Sequence, residues 1–234
     1  MARSLLLFDI DGTLMITKGA GSRCLHRAGR MVFGEQFEWT DITVGTLDPQ
    51  IFAQLARHNG IGDSGEHLAR FRATYLAELE AELGTIGDDI TLMPGIPTLL
   101  DTLHARTGPN GDLTLGLLTG NFQHAAHLKL NAAGFDLRRF PVTAFAEDGN
   151  ERNDLPRVAM DRALALTGEA IDPGQVFIIG DTPRDVACAH ANGCVAVAVA
   201  TGRYSTAQLA EAGGDLVLDS LEDPKPLLDL LPGR

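Results

Sequence analysis

Two aspartates separated by one residue follow an apolar run near the N-terminus. The run Ser4–Phe8 leads directly into Asp9, Asp11 and Gly12. Side chains two apart on a strand point to the same side, and the carboxyl edge of an open α/β sheet is where ligands bind. Two carboxylates about 4 Å apart repel each other by roughly 1–4 kcal/mol, so the pair needs a cation or a bound proton. A simple turn explains Asp11 and Gly12 but leaves the acid at Asp9 unexplained.

A second acidic pair follows another apolar run. Asp181 and Asp185 come after Val176–Ile179, with Thr182 and Pro183 between them. Such residues also cap helices, but a helix that needs only a cap does not need both acids. If this strand neighbours the first one, the four carboxyl groups converge. An oxygen-rich site of this kind suits Mg²⁺, which keeps water ligands for an anionic substrate.

A third strand end carries neutral polar groups. Thr119, Gly120 and Asn121 follow the apolar run Leu113–Leu118. A hydroxyl, an amide and the free N–H groups of a helix N-terminus form an anion site, although Thr and Asn also serve as ordinary helix caps. We expect these three residues, together with Gly12, to bind the substrate.

The elements that position these residues alternate between short apolar runs and amphipathic stretches. Strands are predicted at Ser4–Phe8, Leu113–Leu118, Val176–Ile179, Val195–Val199 and Leu216–Leu218, and helices at Phe122–Ala133, Leu155–Leu166 and Pro183–Asn192. Several strands are apolar throughout, as expected when helices cover both faces of a sheet. The alternation predicts an α/β fold with a Rossmann-like, doubly wound parallel sheet.

The stretch from residue 16 to residue 92 interrupts this alternation and contains no convincing strand. Helices are predicted at Ser22–Phe33, Pro49–His58 and Ser64–Leu83. We therefore expect an α/β core formed by residues 1–15 and 93–234, and an inserted all-helical domain formed by residues 16–92. Residues 19–21 and 44–48 are candidate loops facing the substrate, although simple turns explain them equally well.

Composition limits the partners and the compartment. The chain has 19 basic and 31 acidic residues, a net charge of −12, which disfavours binding to nucleic acid or to an anionic membrane. No apolar run approaches the ~18 residues of a membrane span. The three cysteines are too few for a disulfide framework, so we expect a cytoplasmic protein. An anionic substrate would need a local positive site, which a metal ion supplies.

The three strand-end segments together resemble the haloacid dehalogenase-like hydrolase superfamily. The most specific parts are Asp-x-Asp-Gly-Thr, beginning at Asp9, and a distal Gly-Asp-x-x-x-Asp, whose acids are Asp181 and Asp185. They occur in the order typical of the family, and the resemblance extends over nearly the whole chain. It is closest to phosphatases with a helical cap, such as phosphoglycolate phosphatases. The resemblance implies that the inserted helices form this cap.

The resemblance also implies individual roles. Asp9 would be the nucleophile that forms an aspartyl-phosphate, and Asp11 would protonate the leaving oxygen and then activate water. Asp181 would complete a Mg²⁺ site with Asp9 and the main-chain carbonyl of Asp11, and Asp185 would support this site. Thr119 would hold the phosphoryl group.

One element of the family pattern is absent. The family usually places a lysine before the helix that precedes the last acidic motif, whereas residues 151–156 contain no lysine. Arg152 lies in that region and could hold phosphoryl oxygens bidentately. Lys129 is the alternative, but it lies about 15 Å beyond Thr119 along a helix axis. Both residues stay candidates for the positive, phosphate-stabilising position.

We therefore expect Mg²⁺-dependent hydrolysis of a phosphate monoester, with a small phosphorylated metabolite as substrate. A cap that closes excludes water and favours small substrates. Two alternatives stay open: a phosphosugar mutase of the same superfamily, and a receiver-like regulatory protein that binds phosphate without turnover. Asp11, as an acid and base, argues against the second. The choice among phosphoglycolate, a sugar phosphate and a nucleotide is open at this stage.

Overall fold

A six-stranded parallel sheet forms the centre of the molecule. The computed structural model describes residues 3–62, 64–108 and 111–232. The sheet consists of β1 (Ser4–Phe8), β4 (Leu113–Leu118), β5 (Val142–Ala144), β6 (Val176–Gly180), β7 (Val195–Val199) and β8 (Leu216–Leu218). Its spatial order is β5-β4-β1-β6-β7-β8, so the N-terminal strand lies at the centre. The chain reverses direction across the sheet on either side of β1, as in doubly wound folds.

Helices cover both faces of this sheet. They are α4 (Ile96–His104), α5 (Gln123–Ala132), α6 (Leu155–Thr167), α7 (Pro183–Ala191), α8 (Thr206–Glu211) and α9 (Lys225–Leu230). All residues of β1 are buried, and alternate side chains enter two different hydrophobic clusters: Leu5 and Leu7 one, Leu6 and Phe8 the other. This two-sided burial explains why β1 is apolar throughout, and it confirms the predicted α/β class.

Three helices form a separate layer that we call the helical insertion: α1 (Ala20–Phe33), α2 (Asp48–His58) and α3 (Gly65–Ile86) with their connecting loops. Helix α1 packs along α3. Phe71 and Tyr75 lie one helical turn apart on the buried side of α3, and Phe71 contacts Phe52 of α2 with ring centroids 5.0 Å apart. The apolar residues of α3 recur at helical spacing, and they form its buried face.

A two-stranded ribbon marks where the chain enters and leaves the helical insertion. The strands β2 (Met15–Ile16) and β3 (Thr91–Leu92) pair antiparallel, with Met15 opposite Leu92. The prediction of no strand between residues 16 and 92 is therefore wrong at both ends of that stretch. Strands of two residues are too short to show a period of two, and the three-residue β5 escaped prediction for the same reason.

The helical insertion lies against the carboxyl edge of the sheet. The N–H of Asp48 donates to the carbonyl of Gly120 at 2.8 Å, and the Asp48 carboxylate accepts from the N–H of Phe122 at 2.7 Å. Helix α3 packs against α5, and the guanidinium of Arg72 lies 4.7 Å from the ring centroid of Phe122. Among the described residues, no helix combines the length and the hydropathy needed to cross a membrane.

Candidate active site

Adjacent strands bring the two acidic motifs together. Phe8 of β1 lies in register with Ile179 of β6, and the N–H of Asp9 donates to the Ile179 carbonyl at 2.9 Å. Carboxylate oxygens of Asp9, Asp181 and Asp185 consequently lie within 4.8 Å of one another, and all three residues are buried. The two strands that carry the acidic motifs, β1 and β6, are therefore neighbours in the sheet, as the sequence argument assumed.

Arg152 connects two of these carboxylates. Its side chain is only 4% exposed, and one terminal nitrogen lies 3.0 Å from Oδ2 of Asp9 and 2.5 Å from Oδ1 of Asp185. A second nitrogen donates to the carbonyl of Gly45 in the helical insertion at 3.2 Å. Arg152 therefore orients Asp9 and joins it both to α7 and to the helical insertion.

Lys129 serves a different carboxylate. Its Nζ lies 2.6 Å from Oδ2 of Asp11 and 2.7 Å from Oδ1 of Asn121, and its side chain is buried. The separation estimated along the helix axis was misleading, because helical side chains point back towards the N-terminus and lysine is long. From the sequence, Lys129 and Arg152 were alternatives for one phosphate-stabilising position. In the structure both lie in the site, Lys129 beside Asp11 and Arg152 beside Asp9.

Asp11 is the accessible member of the acidic group. Its side chain is 43% exposed, and Oδ2 accepts from Lys129 and, at 2.8 Å, from the amide of Asn121. Gly12 follows with a φ of +84°, and a Cβ there would lie 2.5 Å from Oδ2 of Asp181. Only glycine suits this turn, because it combines a left-handed backbone with the close approach of a buried carboxylate.

Thr119 and Asn121 form a neutral polar surface beside Asp11. The hydroxyl of Thr119 is fully buried and accepts from the side-chain amide of Asn121 at 2.8 Å. Within the described ranges it donates to no protein acceptor. Gly120 lies between them, where a Cβ would come 2.7 Å from the carbonyl of Thr46. The Thr119 hydroxyl hydrogen is thus available to an anion in the cavity.

The carboxylate cluster carries more negative charge than the protein neutralises. Burial raises the pKa of Asp181 to about 8, with the Asp9 and Asp185 carboxylates adding to the effect. Burial likewise raises the pKa of Asp9 to about 6, although Arg152 opposes this. The only side-chain hydrogen bond to Asp181 within the described part of the chain is a long one of 3.4 Å from Thr13. Three buried carboxylates facing one guanidinium therefore fit a divalent cation with oxygen ligands.

Asp185 differs from the other two acids because both of its oxygens are already occupied. Oδ1 faces Arg152, and Oδ2 accepts from the N–H and the hydroxyl of Thr182 at 3.0 and 2.7 Å. These last contacts form the capping box of α7. Asp185 therefore does cap α7, which was the alternative role considered from the sequence. Its contact with Arg152 also suits a role in positioning Arg152 and the cluster.

A cavity of about 590 Å³ extends from these residues into the helical insertion. Residues 19, 21 and 44–46, together with Asp48, contribute to its lining, so both candidate loops reach the cavity. The cavity is also lined by Trp39 and Tyr75, which no sequence motif indicated. Tyr75 lies on the buried, apolar face of α3, and helical spacing alone does not distinguish a core side chain from one at the edge of a cavity.

Comparisons with known proteins agree with this geometry. A family model described as HAD-hydrolase-like matches residues 154–224. A phosphoglycolate phosphatase of Synechococcus elongatus is 29% identical over 226 residues, which cover 93% of both chains. The structure of a predicted phosphoglycolate phosphatase from Haemophilus somnus is 18% identical, with a TM-score of 0.71 and coverage of 97% of this chain and 98% of that chain. CbbY from Rhodobacter sphaeroides, solved with phosphate, is 19% identical, with a TM-score of 0.72 and coverage of 94% and 96%.

The two solved structures establish the shared fold, and the family model and the Synechococcus relative carry the assignment further. The motif order, the cluster of buried aspartates and the helical insertion over the carboxyl edge agree with it. This chain is therefore similar, in its fold and in the order of its motifs, to phosphatases of the haloacid dehalogenase-like hydrolase superfamily.

Proposed function

We propose that the chain hydrolyses a small-molecule phosphate monoester in a Mg²⁺-dependent reaction, through an aspartyl-phosphate on Asp9. The observation that carries this proposal is the contrast between two acids two residues apart. Asp9 is 6% exposed and held by Arg152, whereas Asp11 is half-exposed and faces the cavity beside Lys129. One acid is placed as a nucleophile and the other as a proton carrier.

In the first step, a carboxylate oxygen of Asp9 attacks phosphorus and the ester P–O bond breaks. Asp11 gives its proton to the leaving oxygen, so the product departs as an alcohol. In the second step, Asp11 takes a proton from water, whose oxygen attacks the phosphorus of the aspartyl-phosphate. The acyl P–O bond breaks, which releases inorganic phosphate and restores Asp9.

The remaining residues hold the charges of this reaction. The Thr119 hydroxyl donates to a phosphoryl oxygen, and main-chain groups of Gly12 and Gly120 with the Asn121 side chain complete the substrate site. Lys129 and Arg152 keep Asp11 and Asp9 oriented and offset phosphoryl charge. Mg²⁺ would be held by Asp9, Asp181 and the Asp11 carbonyl, with Asp185 in support, and it supplies the charge that lets a carboxylate approach a phosphate.

The domain division proposed with this function has residues 1–15 and 93–234 as the core and residues 16–92 as a cap. The ribbon β2–β3 joins the two parts and is the natural hinge. A cap over the carboxyl edge excludes water and admits small metabolites rather than nucleic acid or a membrane surface. The net charge of −12 and three free cysteines fit a cytoplasmic enzyme of this kind.

The first test is phosphate release from 4-nitrophenyl phosphate by the purified chain. We expect turnover with Mg²⁺, loss of turnover with EDTA, and a fall of at least about 10³-fold in kcat for Asp9→Asn, since no nucleophile would remain. Asp161→Asn is the matched control, because Asp161 lies exposed on α6. Metal-independent turnover or an active Asp9→Asn variant would contradict the mechanism.

Two further results would favour the alternative functions. A phosphoenzyme that accumulates without releasing phosphate would indicate a receiver-like protein. Transfer of the phosphoryl group between two positions of a sugar phosphate, faster than release of inorganic phosphate, would indicate a mutase.

A further inference from the structure

One part of the cavity wall belongs to the helical insertion. We define this distal wall by six residues that line the cavity: Ser22, Leu25, Trp39, Asp41, Ile42 and Tyr75. We propose that the leaving group of the substrate is uncharged, presents an apolar or aromatic surface with a hydrogen-bonding oxygen, and carries no second anionic group. This inference rests on the proposed function, because it concerns the substrate of the same site.

The charges around the cavity are the first argument. Four cationic side chains line it, and two of them, Lys129 and Arg152, are paired with carboxylates at the reaction centre. Lys18 is 57% exposed and lies 2.6 Å from Asp89. The distal wall itself contains no cation, and its one charged residue is Asp41, whose side chain is exposed. A carboxylate or second phosphate placed there would lose hydration without gaining a buried partner.

Arg203 is the fourth cation that lines the cavity. It follows Gly202, where a Cβ would come within 1.7 Å of Oδ2 of Asp181, so this segment packs directly on the carboxylate cluster. The side chain of Arg203 is exposed, and an exposed charge is screened by solvent. As an exposed side chain, Arg203 offers an anionic leaving group no buried counter-ion.

Tyr75 supplies the polar feature of the distal wall. It is 1% exposed, and in the described part of the chain its hydroxyl has no hydrogen-bond partner. A Cβ built on Gly21 would lie 3.8 Å from the Tyr75 hydroxyl and 3.4 Å from Nζ of Lys129, so the phenol lies next to the reaction centre. Burial, together with the Asp48 and Asp11 carboxylates, raises its pKa well above the ordinary value. The phenol thus stays neutral, and a substrate oxygen would satisfy it.

The apolar residues and the volume complete the argument. Leu25 is buried, and Trp39 and Ile42 are half-buried against the hydrophobic core. A cavity of about 590 Å³ is in the usual range for ligands of drug-like size and exceeds the needs of a two-carbon acid. The distal wall therefore fits a ring or a short hydroxylated chain rather than a carboxylate.

Two matched substrate pairs test the charge preference. The first is 2-hydroxyethyl phosphate against phosphoglycolate, and the second is phenyl phosphate against 4-carboxyphenyl phosphate. We expect kcat/KM to be at least about 10-fold higher for the uncharged member of each pair. Equal or faster hydrolysis of the carboxylates would overturn the inference and leave the proposed function intact. No turnover of any of the four would contradict both.

Variants of the distal wall locate the effect. Asp41→Lys should reduce the preference for uncharged substrates several-fold, whereas Asp41→Asn should change it less, because it removes a charge without adding a cation.

Tyr75→Phe should raise KM for 2-hydroxyethyl phosphate by about 3- to 10-fold and leave KM for phenyl phosphate unchanged, because phenyl phosphate lacks the second oxygen. An Arg203→Ala variant that selectively loses the two carboxylates would show that Arg203 binds anionic leaving groups, which would overturn the inference.

Discussion

The two acids of the first motif, Asp9 and Asp11, contact different cations. Lys129 contacts Asp11 from α5, and Arg152 contacts Asp9 from the turn before α6. This pairing suits the proposed mechanism, in which Asp9 stays aligned as the nucleophile and Asp11 exchanges protons with substrate and water. A lysine ammonium and a planar guanidinium are not interchangeable in these places.

Replacement of the guanidinium tests this division. Arg152→Lys keeps the charge but cannot reach Asp9, Asp185 and the Gly45 carbonyl together, so we expect kcat to fall about 10- to 100-fold. The free energy of unfolding should also fall by roughly 1–3 kcal/mol, since buried carboxylates lose partners. Steady-state kinetics and urea denaturation measure the two effects. Unchanged kcat would contradict a role for Arg152 in orienting Asp9.

The close approach of Gly12 to Asp181 can be tested by comparison with Gly60, which has a similar φ but open space around it. Gly12→Ala places a Cβ 2.5 Å from Asp181, whereas Gly60 has a comparable φ of +66° with no atom within 4 Å of its added Cβ. We expect Gly60→Ala to cost about 1 kcal/mol of stability through backbone strain alone. Gly12→Ala should cost more and should also weaken Mg²⁺ activation. Equal effects of the two substitutions would show that the contact with Asp181 is unimportant.

At the scale of elements, the N-terminus of α5 is the junction between the core and the helical insertion. Asp48 begins α2 and bonds to both Gly120 and Phe122, so one residue joins α2, the Thr119–Asn121 segment and α5. A carboxylate at a helix N-terminus is favourable, but burial opposes its charge. The balance between these effects makes the junction sensitive to pH.

This sensitivity has a definite sign. Burial raises the pKa of Asp48 to about 7, although Lys129 and the Phe122 N–H oppose the shift, and the unfolded value is about 3.9. Its protonation therefore stabilises the folded state below about pH 4, and this contribution is lost as the pH rises through 7. Relative to Asp48→Asn, the wild-type chain should lose on the order of 1–3 kcal/mol between pH 5 and pH 8. Thermal denaturation of both proteins at the two pH values measures this difference, and a constant difference would contradict the assignment.

For the molecule as a whole, a cation bound in the acidic cluster would link metal binding to stability. Asp9 comes from β1, whereas Asp181 and Asp185 come from the end of β6 and from α7, so a cation bound among them joins distant parts of the chain. A ligand that binds only the folded state stabilises it according to its concentration. A cation in the cluster should therefore stabilise the folded state as well as take part in the proposed reaction.

Metal removal checks this link without an activity assay. Mg²⁺ at 100 times its Kd should raise the free energy of unfolding by about 2.7 kcal/mol relative to EDTA. Asp181→Asn should abolish most of this gain, while Asp161→Asn, on the exposed face of α6, should retain it. A gain of equal size in the Asp181 variant would place the cation elsewhere.

The fold class and the acidic motifs could be predicted from the sequence, because both depend on local patterns. Apolar runs without alternation indicate buried parallel strands, and acids at their carboxyl ends meet at one sheet edge whenever the strands are neighbours. The short strands β2, β3 and β5 could not be predicted in this way, because two or three residues are too few to show the alternation typical of a strand.

The contacts between cations and acids, and the residues that form the distal wall, could not be predicted in this way. They depend on how distant parts of the chain pack together. Lys129 and Asp11 are 118 residues apart in sequence, and their contact depends on the position of α5 over β1 and on the length of the lysine side chain. Tyr75 has the spacing of a core residue on α3, and its place beside the cavity follows from how α3 packs on α5. Periodicity records which side of an element is apolar; it carries no information about which distant surface that side meets.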